Sequence, residues 1–348
     1  MIRVKDREVG ANTRPYLIAE MSGNHNQSLD RAMEIVDAAA ASGADAIKLQ
    51  TYTAETMTLN TRAPGFVIED PKSLWAGRQL YDLYDEAHTP WDWHGPIMER
   101  AAGHGMHCFS SPFDDTAVDF LEGLGAPAYK IASFEVTDLP LIRKVARTGK
   151  PMIISTGMAT VAEIDDAVRA AKGEGNDQVI ILKCTSTYPA TPENTNISTI
   201  PNMRQTFGVE VGLSDHTMGT GVSVAAVAMG AVLIEKHFTL RRADGGVDST
   251  FSMEPEEFRQ LRTETERAWQ ALGKVSYGGS KAEENSRIFR RSLYIARDMK
   301  AGEVLTPENL RIIRPGFGLS PKFYDELLGK AVKRDVTLGT PASWDLLA

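Results

Sequence analysis

Eight short apolar runs in this chain carry, at or near their carboxyl ends, side chains that could do chemistry. Glu20 closes the first, and Lys48, Gln50 and Thr51 sit at the end of the second. The third ends in Ser110-Ser111, and the fourth carries Lys130, followed by Ser133 and Glu135. Ser155-Thr156-Gly157 ends the fifth, and the sixth carries Lys183, Thr185 and Ser186. Ser214-Asp215-His216 and Glu235-Lys236-His237 end the last two. Lysines and hydroxyls gathered at one place make a receptor for an anion, because both donate hydrogen bonds to carboxylate and phosphate. His216 and His237 could hold a transition metal, with positions left for water and substrate, as in a catalytic site. Each group also has a plainer reading. A strand-end lysine can snorkel to the surface, and a strand-end histidine can be a satisfied core residue. Four lysines inside apolar runs weigh against the first, since an unpaired buried ammonium is costly. Cys184 reads as core. His25, after Gly23-Asn24, could cap, ligate or bind substrate.

What must position these groups is a regular alternation. The apolar runs are Tyr16–Glu20, Asp45–Gln50, Met106–Ser110, Ala128–Ala132, Met152–Ser155, Val179–Cys184, Val209–Leu213 and Ala231–Lys236. Helical periodicity covers Leu29–Ser42, Trp91–Gly103, Asp114–Leu124, Leu139–Thr148, Val161–Gly173, Gly221–Met229 and Pro255–Leu272. Between the sixth and seventh runs Pro189, Pro192 and Pro201 break the pattern. Alternating βα units build a parallel sheet, and eight of them close into a (β/α)8 TIM barrel of about 250 residues. The alternative, a doubly wound open sheet, would place a GxGxxG loop after its first strand. Met21-Ser22-Gly23-Asn24-His25-Asn26 stands there instead. In a barrel the strand ends share one mouth, which is where the eight polar termini would meet. The stretch from Thr51 to Pro90 is a long loop carrying Trp75, Tyr81 and Tyr84, and a loop of that length is more often functional than idle.

At 348 residues the chain is long enough for such a barrel and an appendage. Its net charge of −8 argues against a nucleic-acid binder driven by phosphate neutralisation. No run of about 18 apolar residues is present, so no membrane helix is expected. Met1–Asp6 lacks the apolar segment of a signal peptide. Two cysteines, Cys108 and Cys184, exclude a disulfide framework and suit a reducing cytoplasm. After Gly273 the texture changes. The expected division is a barrel over 1–275, a small polar linker over 276–290 and a small domain of short strands over 291–348. The last is small for an independent core and is expected to pack against something. Residues 281–348 carry a net +3 against −11 for residues 1–280, which suits docking, although two solvated surfaces would read the same way.

The motifs resemble a known family. Ile18-Ala19-Glu20-Met21-Ser22-Gly23-Asn24-His25-Asn26, Lys48-Leu49-Gln50-Thr51 and Ser111-Pro112-Phe113 look like those of the sialic acid synthases. So do Tyr129-Lys130-Ile131-Ala132-Ser133, Ser155-Thr156-Gly157-Met158, Tyr188-Pro189, Ser214-Asp215-His216-Thr217, Glu235-Lys236-His237-Phe238-Thr239 and Asp248. Arg291-Ser292-Leu293, Asp298-Met299-Lys300-Ala301-Gly302-Glu303 and Arg314-Pro315-Gly316 resemble the antifreeze-like (SAF) domain these enzymes carry. The resemblance spans essentially the whole chain. Within the family, the Met21–Asn26 loop and Lys48–Tyr52 look most like the branch that forms pseudaminic acid. The neuraminic and legionaminic branches more usually have Gly in place of Ser22 and Asn in place of Ser186.

The resemblance implies condensation of phosphoenolpyruvate with an amino-sugar aldehyde, here a 2,4-diacetamido-2,4,6-trideoxy-L-altrose, with release of phosphate. Lys48, Lys130, Ser111, Ser133, Ser155, Ser186 and Ser214 would cradle phosphoenolpyruvate. Gln50, Tyr188 and Asp248 would hold the sugar, and Glu135 would be a further substrate contact. A divalent metal on His216 and His237, manganese first and magnesium or cobalt after it, would polarise the aldehyde. Glu20 would act as general base or cation stabiliser. Phe113 and Phe238 read as structural. The family pattern also implies a domain-swapped homodimer, in which Arg314 of one subunit reaches the sugar at its partner's mouth, and a product used on cell-surface polysaccharide or flagellin. Two rivals stand beside this reading. A Schiff-base aldolase would use Lys183 or Lys130 as nucleophile. A non-catalytic carbohydrate-binding or ice-binding protein could use the tail alone, but would have no evident use for polar groups at all eight strand ends.

Overall fold

The computed structural model describes residues 2–71 and 73–348. The chain divides into two compact units, 1–273 and 274–348. The first opens with a hairpin, β1 (Ile2–Val4) and β2 (Arg7–Val9), paired antiparallel. Eight strands follow: β3 (Tyr16–Glu20), β4 (Ala46–Thr51), β5 (His107–Pro112), β6 (Tyr129–Ile131), β7 (Met152–Ser155), β8 (Val179–Cys184), β9 (Glu210–Ser214) and β10 (Leu233–His237). They form a closed parallel barrel in chain order, with β10 pairing β3. This is the expected (β/α)8 architecture.

The crossover helices begin where the sequence supplies caps. Ser28, Asp114, Asp138 and Thr160 accept backbone N–H bonds at the starts of Leu29–Ala41, Asp115–Gly123, Leu139–Ala146 and Val161–Gly173. Helices Trp91–Gly103 and Pro255–Leu272 form over the residues their periodicity indicated. The proline-broken stretch before β9 nevertheless holds a helix, Thr199–Phe207. Pro201 falls in its first turn, where a missing N–H costs nothing, and Gly208 ends it in the left-handed region at φ 62°. The long loop 51–90 is not bare either, since it carries short helices at Ala54–Met57 and Leu80–Ala87.

Strand periodicity sorts each strand into an interior face and a helix-facing side. Tyr16, Ile18, Ala46, Phe109, Ala128, Ile153, Ile180, Leu182 and Leu233 pack as one interior cluster, joined by Ile2, Val4 and Val9 of the hairpin. The hairpin therefore plugs the amino-terminal end of the barrel, a role its few residues did not reveal in sequence. Asp45 locks this end. It pairs with Arg7, Arg14 and Arg262 and accepts Leu17 N–H at 2.9 Å. A second cluster, between barrel and helices, holds Leu17, Ala19, Ile35, Ile47, Val118, Ile142 and Phe258. Among the described residues no helix is long and apolar enough to cross a membrane.

In the second unit, residues 274–291 are exposed, and Lys281–Phe289 forms a 3-10 run begun by a Ser280–Glu283 capping box. Beyond it, β11 (Ser292–Ile295) and β12 (Leu310–Ile313) pair antiparallel. Contrary to expectation, this small unit has a core of its own. Leu293, Ile295, Met299, Leu305, Leu310, Leu327, Val332, Val336, Ala342 and Leu346 are all buried together.

Arg262→Met keeps much of the side-chain volume but removes a donor from buried Asp45. Urea unfolding is expected to show a loss of about 2 kcal/mol, the typical worth of a hydrogen bond to a charged group. An unchanged midpoint would show that Arg7 and Arg14 suffice.

Candidate active site

The interior face that is apolar at the bottom of the barrel turns polar toward the strand ends. Continuing the period of two from the interior cluster brings Glu20, Lys48, Gln50, Ser111, Lys130, Ser155, Cys184, Ser214, Glu235 and His237 inside. At the centre is a square of charges. Lys48 Nζ lies 2.5 Å from Glu20 Oε2 and 3.8 Å from Glu235 Oε1, and Lys130 Nζ lies 3.5 Å from the same Glu235 oxygen. All four side chains are buried.

Burial and partners set these groups apart. Burial pushes Glu20 up to about 7, outweighing the pull of Lys48. Burial works against Glu235 ionising as well, but Lys130 and then Lys48 more than offset it, so its carboxyl stays below the ordinary value. Lys48 is lifted above its usual range because Glu20 and Glu235 outweigh its desolvation. Burial lowers Lys130 despite Glu235. Two adjacent carboxylates of different proton affinity are the arrangement acid–base chemistry requires.

Hydroxyls line the wall beside the square. Lys48 Nζ donates to Ser111 Oγ at 3.3 Å, and Ser214 Oγ donates to Glu235 Oε1 at 3.4 Å. Ser133 Oγ accepts Gly157 N–H at 3.2 Å. A Cβ at Gly157 would come within 2.1 Å of Ser186 Oγ and 2.8 Å of Ser133 Oγ, so only glycine leaves both hydroxyls their places. Ser155 Oγ, Glu235 Oε2 and Glu135 Oε2 are buried without a hydrogen-bond partner among the described residues. Burial lifts Glu135 to about 7 against the pull of Lys130.

His216 and His237 meet with ring centroids 5.5 Å apart. His216 Nδ1 is 2.9 Å from the Thr185 carbonyl oxygen, which fixes the proton there and leaves the Nε2 lone pair free. His237 Nδ1 has no hydrogen-bond partner among the described residues, and Asp248 Oδ2 stands 3.6 Å from it. Burial holds both rings below the ordinary imidazole range, hence neutral. Neutral imidazoles with free lone pairs fit a divalent metal. Among the described residues no group of three or more His, Cys, Asp or Glu is arranged as a complete cage, so water and substrate would complete the coordination. Tyr188 packs against His216 at a tilt, with centroids 4.4 Å apart, and is flanked by Phe251 at 5.3 Å and by Trp75 of the long loop at 6.2 Å.

Not every strand-end group reaches the mouth. Lys183 and Lys236 have the opposite parity. Lys183 turns back to donate to the Cys184 carbonyl at 2.8 Å. Lys236 is fully buried behind the barrel, bonded to Asp215 Oδ2 at 3.1 Å and to the carbonyls of Thr217 and Gly219 at 2.5 and 3.1 Å. Asp215 also accepts from Thr217 N–H, Thr217 Oγ1 and Ser223 Oγ, so this clasp holds the turn carrying His216. His25 lies outside the mouth too. Its Nδ1 accepts Gln27 N–H at 3.1 Å, its Nε2 meets Thr89 Oγ1 at 3.2 Å, and burial lowers it to about 4, so it is a cap. Phe113 packs edge-on to Tyr52 and Phe238 to Phe258. Arg314 is exposed on the second unit. The sequence motifs assign Glu235 no role, although its place two residues after Leu233 on β10 aims it inward.

Residues 35–277 match the NeuB family and residues 290–348 the SAF domain. The chain belongs to the NeuB family. A pseudaminic acid synthase of Campylobacter jejuni subsp. jejuni serotype O:2 is 45% identical over 93% of this chain and 94% of its own length. A pseudaminic acid synthase of Helicobacter pylori is 42% identical over 95% and 97%. A crystal structure of N-acetylneuraminic acid synthetase from Leptospira borgpetersenii serovar Hardjo-bovis, in complex with citrate, superposes with a TM-score of 0.74. It is 30% identical and covers 82% of this chain and 94% of that one. Membership of the NeuB family is what the motifs indicated.

Gly157→Ala should raise the concentration of phosphoenolpyruvate needed for half-saturation about tenfold or more, by filling the hydroxyl cradle. Binding can be followed by calorimetry; affinity equal to wild type would remove Gly157, Ser133 and Ser186 from the anion site.

Proposed function

We propose that this NeuB-family enzyme condenses phosphoenolpyruvate with 2,4-diacetamido-2,4,6-trideoxy-L-altrose and water, giving pseudaminic acid and phosphate. The observation that carries the reading is the buried square of Glu20, Lys48, Lys130 and Glu235 opening onto two neutral histidines. The relatives named pseudaminic acid synthase supply the choice of sugar.

Lys48, Lys130 and the hydroxyls of Ser111, Ser133, Ser155, Ser186 and Ser214 receive the phosphate and carboxylate of phosphoenolpyruvate. C3 of that substrate bonds to the aldehyde carbon of the sugar, whose oxygen takes up a proton. His216 and His237 would hold a divalent metal, manganese first among the candidates, which would supply Lewis-acid polarisation of that carbonyl. The cation left at C2 faces carboxylates that are already in place. Glu235, held ionised by its lysines, stabilises it electrostatically. Glu20, with its proton affinity near neutral, takes a proton from the water that adds to C2. The C2–O bond to phosphate then breaks, leaving a 2-keto acid. Gln50, Glu135, Tyr188 and Asp248 position the sugar.

A Schiff base on Lys130 is the second reading, favoured by the lowered proton affinity of that amine. Lys183 does not serve it, being outside the barrel mouth. We place the reaction in a reducing cytoplasm, supported by the two free, buried cysteines. We also propose a homodimer that exchanges its second units, so that Arg314 of one subunit reaches the partner's mouth. The opposite net charges of the two units and the exposed apolar residues Phe134, Met158, Val161 and Met218 after β6, β7 and β9 support it.

Phosphate release measured with phosphoenolpyruvate and a panel of acetamido sugars tests the reaction. The diacetamido trideoxy sugar should be preferred over N-acetylmannosamine by at least a hundredfold in kcat/KM, and a chelator should abolish turnover. Equal rates for both sugars would remove the choice of substrate, and a borohydride-trapped adduct on Lys130 would replace the mechanism. Exchange is tested by mixing two inactive variants, Arg314→Ala and His237→Ala. Random mixed dimers should recover about a quarter of wild-type activity if each pairs both lesions at one mouth. No recovery with mixed dimers present would exclude exchange.

A further inference from the structure

Ser22 departs from the backbone conformation that residues with side chains ordinarily adopt. Its φ is 47°, in the left-handed region that favours glycine, yet it carries a side chain and is buried. Such strain persists only where surrounding contacts hold it, and it clusters at functional sites. The contacts here are specific. Ser22 Oγ donates to Asp248 Oδ2 and accepts Gln50 Nε2 at 3.1 Å, while the same Gln50 nitrogen donates to Glu20 Oε1 at 2.9 Å. Asp248 Oδ2, the oxygen that Ser22 holds, is the one beside His237. One hydroxyl thus ties the Glu20 side of the mouth to the Asp248 side, across the seam where β3 meets β10. The other oxygen of Asp248, Oδ1, has no donor among the described residues.

We infer that Ser22 is a specificity-determining positioning residue, which fixes Asp248 by one carboxylate oxygen so that the other is presented to the acceptor sugar. This rests on the reading of Asp248 as a sugar contact. A carboxylate with one oxygen committed offers one acceptor in one direction, which suits a single N–H or O–H donor at a fixed place on the sugar. Released, it could turn and serve donors at other positions equally well.

Ser22→Gly is the decisive variant, because glycine adopts this φ without strain and folding is not put at risk. Its melting temperature should equal or exceed that of wild type. KM for the diacetamido sugar should rise about tenfold with KM for phosphoenolpyruvate unchanged, and preference over N-acetylmannosamine should fall about tenfold. Calorimetric titration with the diacetamido sugar alone should show the same weakening. In an Asp248→Asn background, the glycine change should add less than twofold. Wild-type affinity and selectivity in Ser22→Gly would overturn the inference while leaving the proposed reaction intact. A wild-type protein that neither binds nor converts the sugar would overturn both.

Discussion

Two ammonium groups and two carboxylates lie in the interior of a barrel that is otherwise filled with aliphatic side chains, and the rest of the molecule is arranged around keeping them there. No one of them could be buried singly without a large desolvation cost, and together they carry no net charge. The arrangement needs four different strands to deliver Glu20, Lys48, Lys130 and Glu235 to one level of the barrel. Parallel pairing in register does this, with Glu20 opposite Lys48 and Ile18 opposite Glu235. A slip of one residue in any of these strands would turn its charge toward the helices.

Around that core of charge the protein uses polar groups as fasteners. The Lys236–Asp215 clasp is as buried as the catalytic candidates but faces the other way, and what it fastens is the turn that carries His216. Asn24 donates to the Phe238 carbonyl and to Ser252 Oγ, each at 2.9 Å, joining the loop after β3 to the loop after β10. Asp45 does similar work at the opposite end. Function and stability thus draw on the same chemical vocabulary at the two ends of one barrel, and burial alone does not separate them. Between the Lys236–Asp215 clasp and the groups at the mouth, the difference lies in how far the polar atoms are satisfied. Asp215 and Lys236 have their bonds, whereas Ser155 Oγ, Glu135 Oε2, Glu235 Oε2 and His237 Nδ1 have no hydrogen-bond partner among the described residues.

The sequence made the architecture legible because the alternation of strand and helix leaves a repeated imprint. β3, β7 and β8 occupy the very residues that the apolar runs marked, and the other five differ by a residue or two at each end. The helix Thr199–Phe207 was hidden because Pro201 reads as a breaker unless its position in the first turn is known. The hairpin Ile2–Val9 was hidden because three-residue strands carry almost no periodic signal. At the site, residue types were legible but direction was only half used. Strict alternation from Tyr16, Ile180 and Leu233 would have sent Lys183 and Lys236 outward and Glu235 inward. Ser22 stood out by residue type, as a serine where related branches more usually have glycine, but its left-handed dihedral angle and its bond to Asp248 were not legible in sequence. The small second unit was also underestimated. Its ten buried apolar residues are scattered among turns and bridges, where no periodic pattern betrays them.

The seam between β3 and β10 has a consequence for how the chain comes into being. Tyr16 N–H bonds the Val232 carbonyl at 3.0 Å and Phe238 N–H bonds the Glu20 carbonyl at 2.8 Å, so the first barrel strand finds its last neighbour only after nearly the whole barrel has been synthesised. A ribosome-bound chain stopped anywhere before β10 therefore carries an open strand edge, and Glu20 and Lys48 lack the carboxylate of Glu235. Contacts between such distant segments are slow to form, and unpaired edges invite association with other chains. The step that removes the edge is the one that brings Glu235 and His237 beside Glu20, so sealing the barrel and assembling its charged centre are a single event.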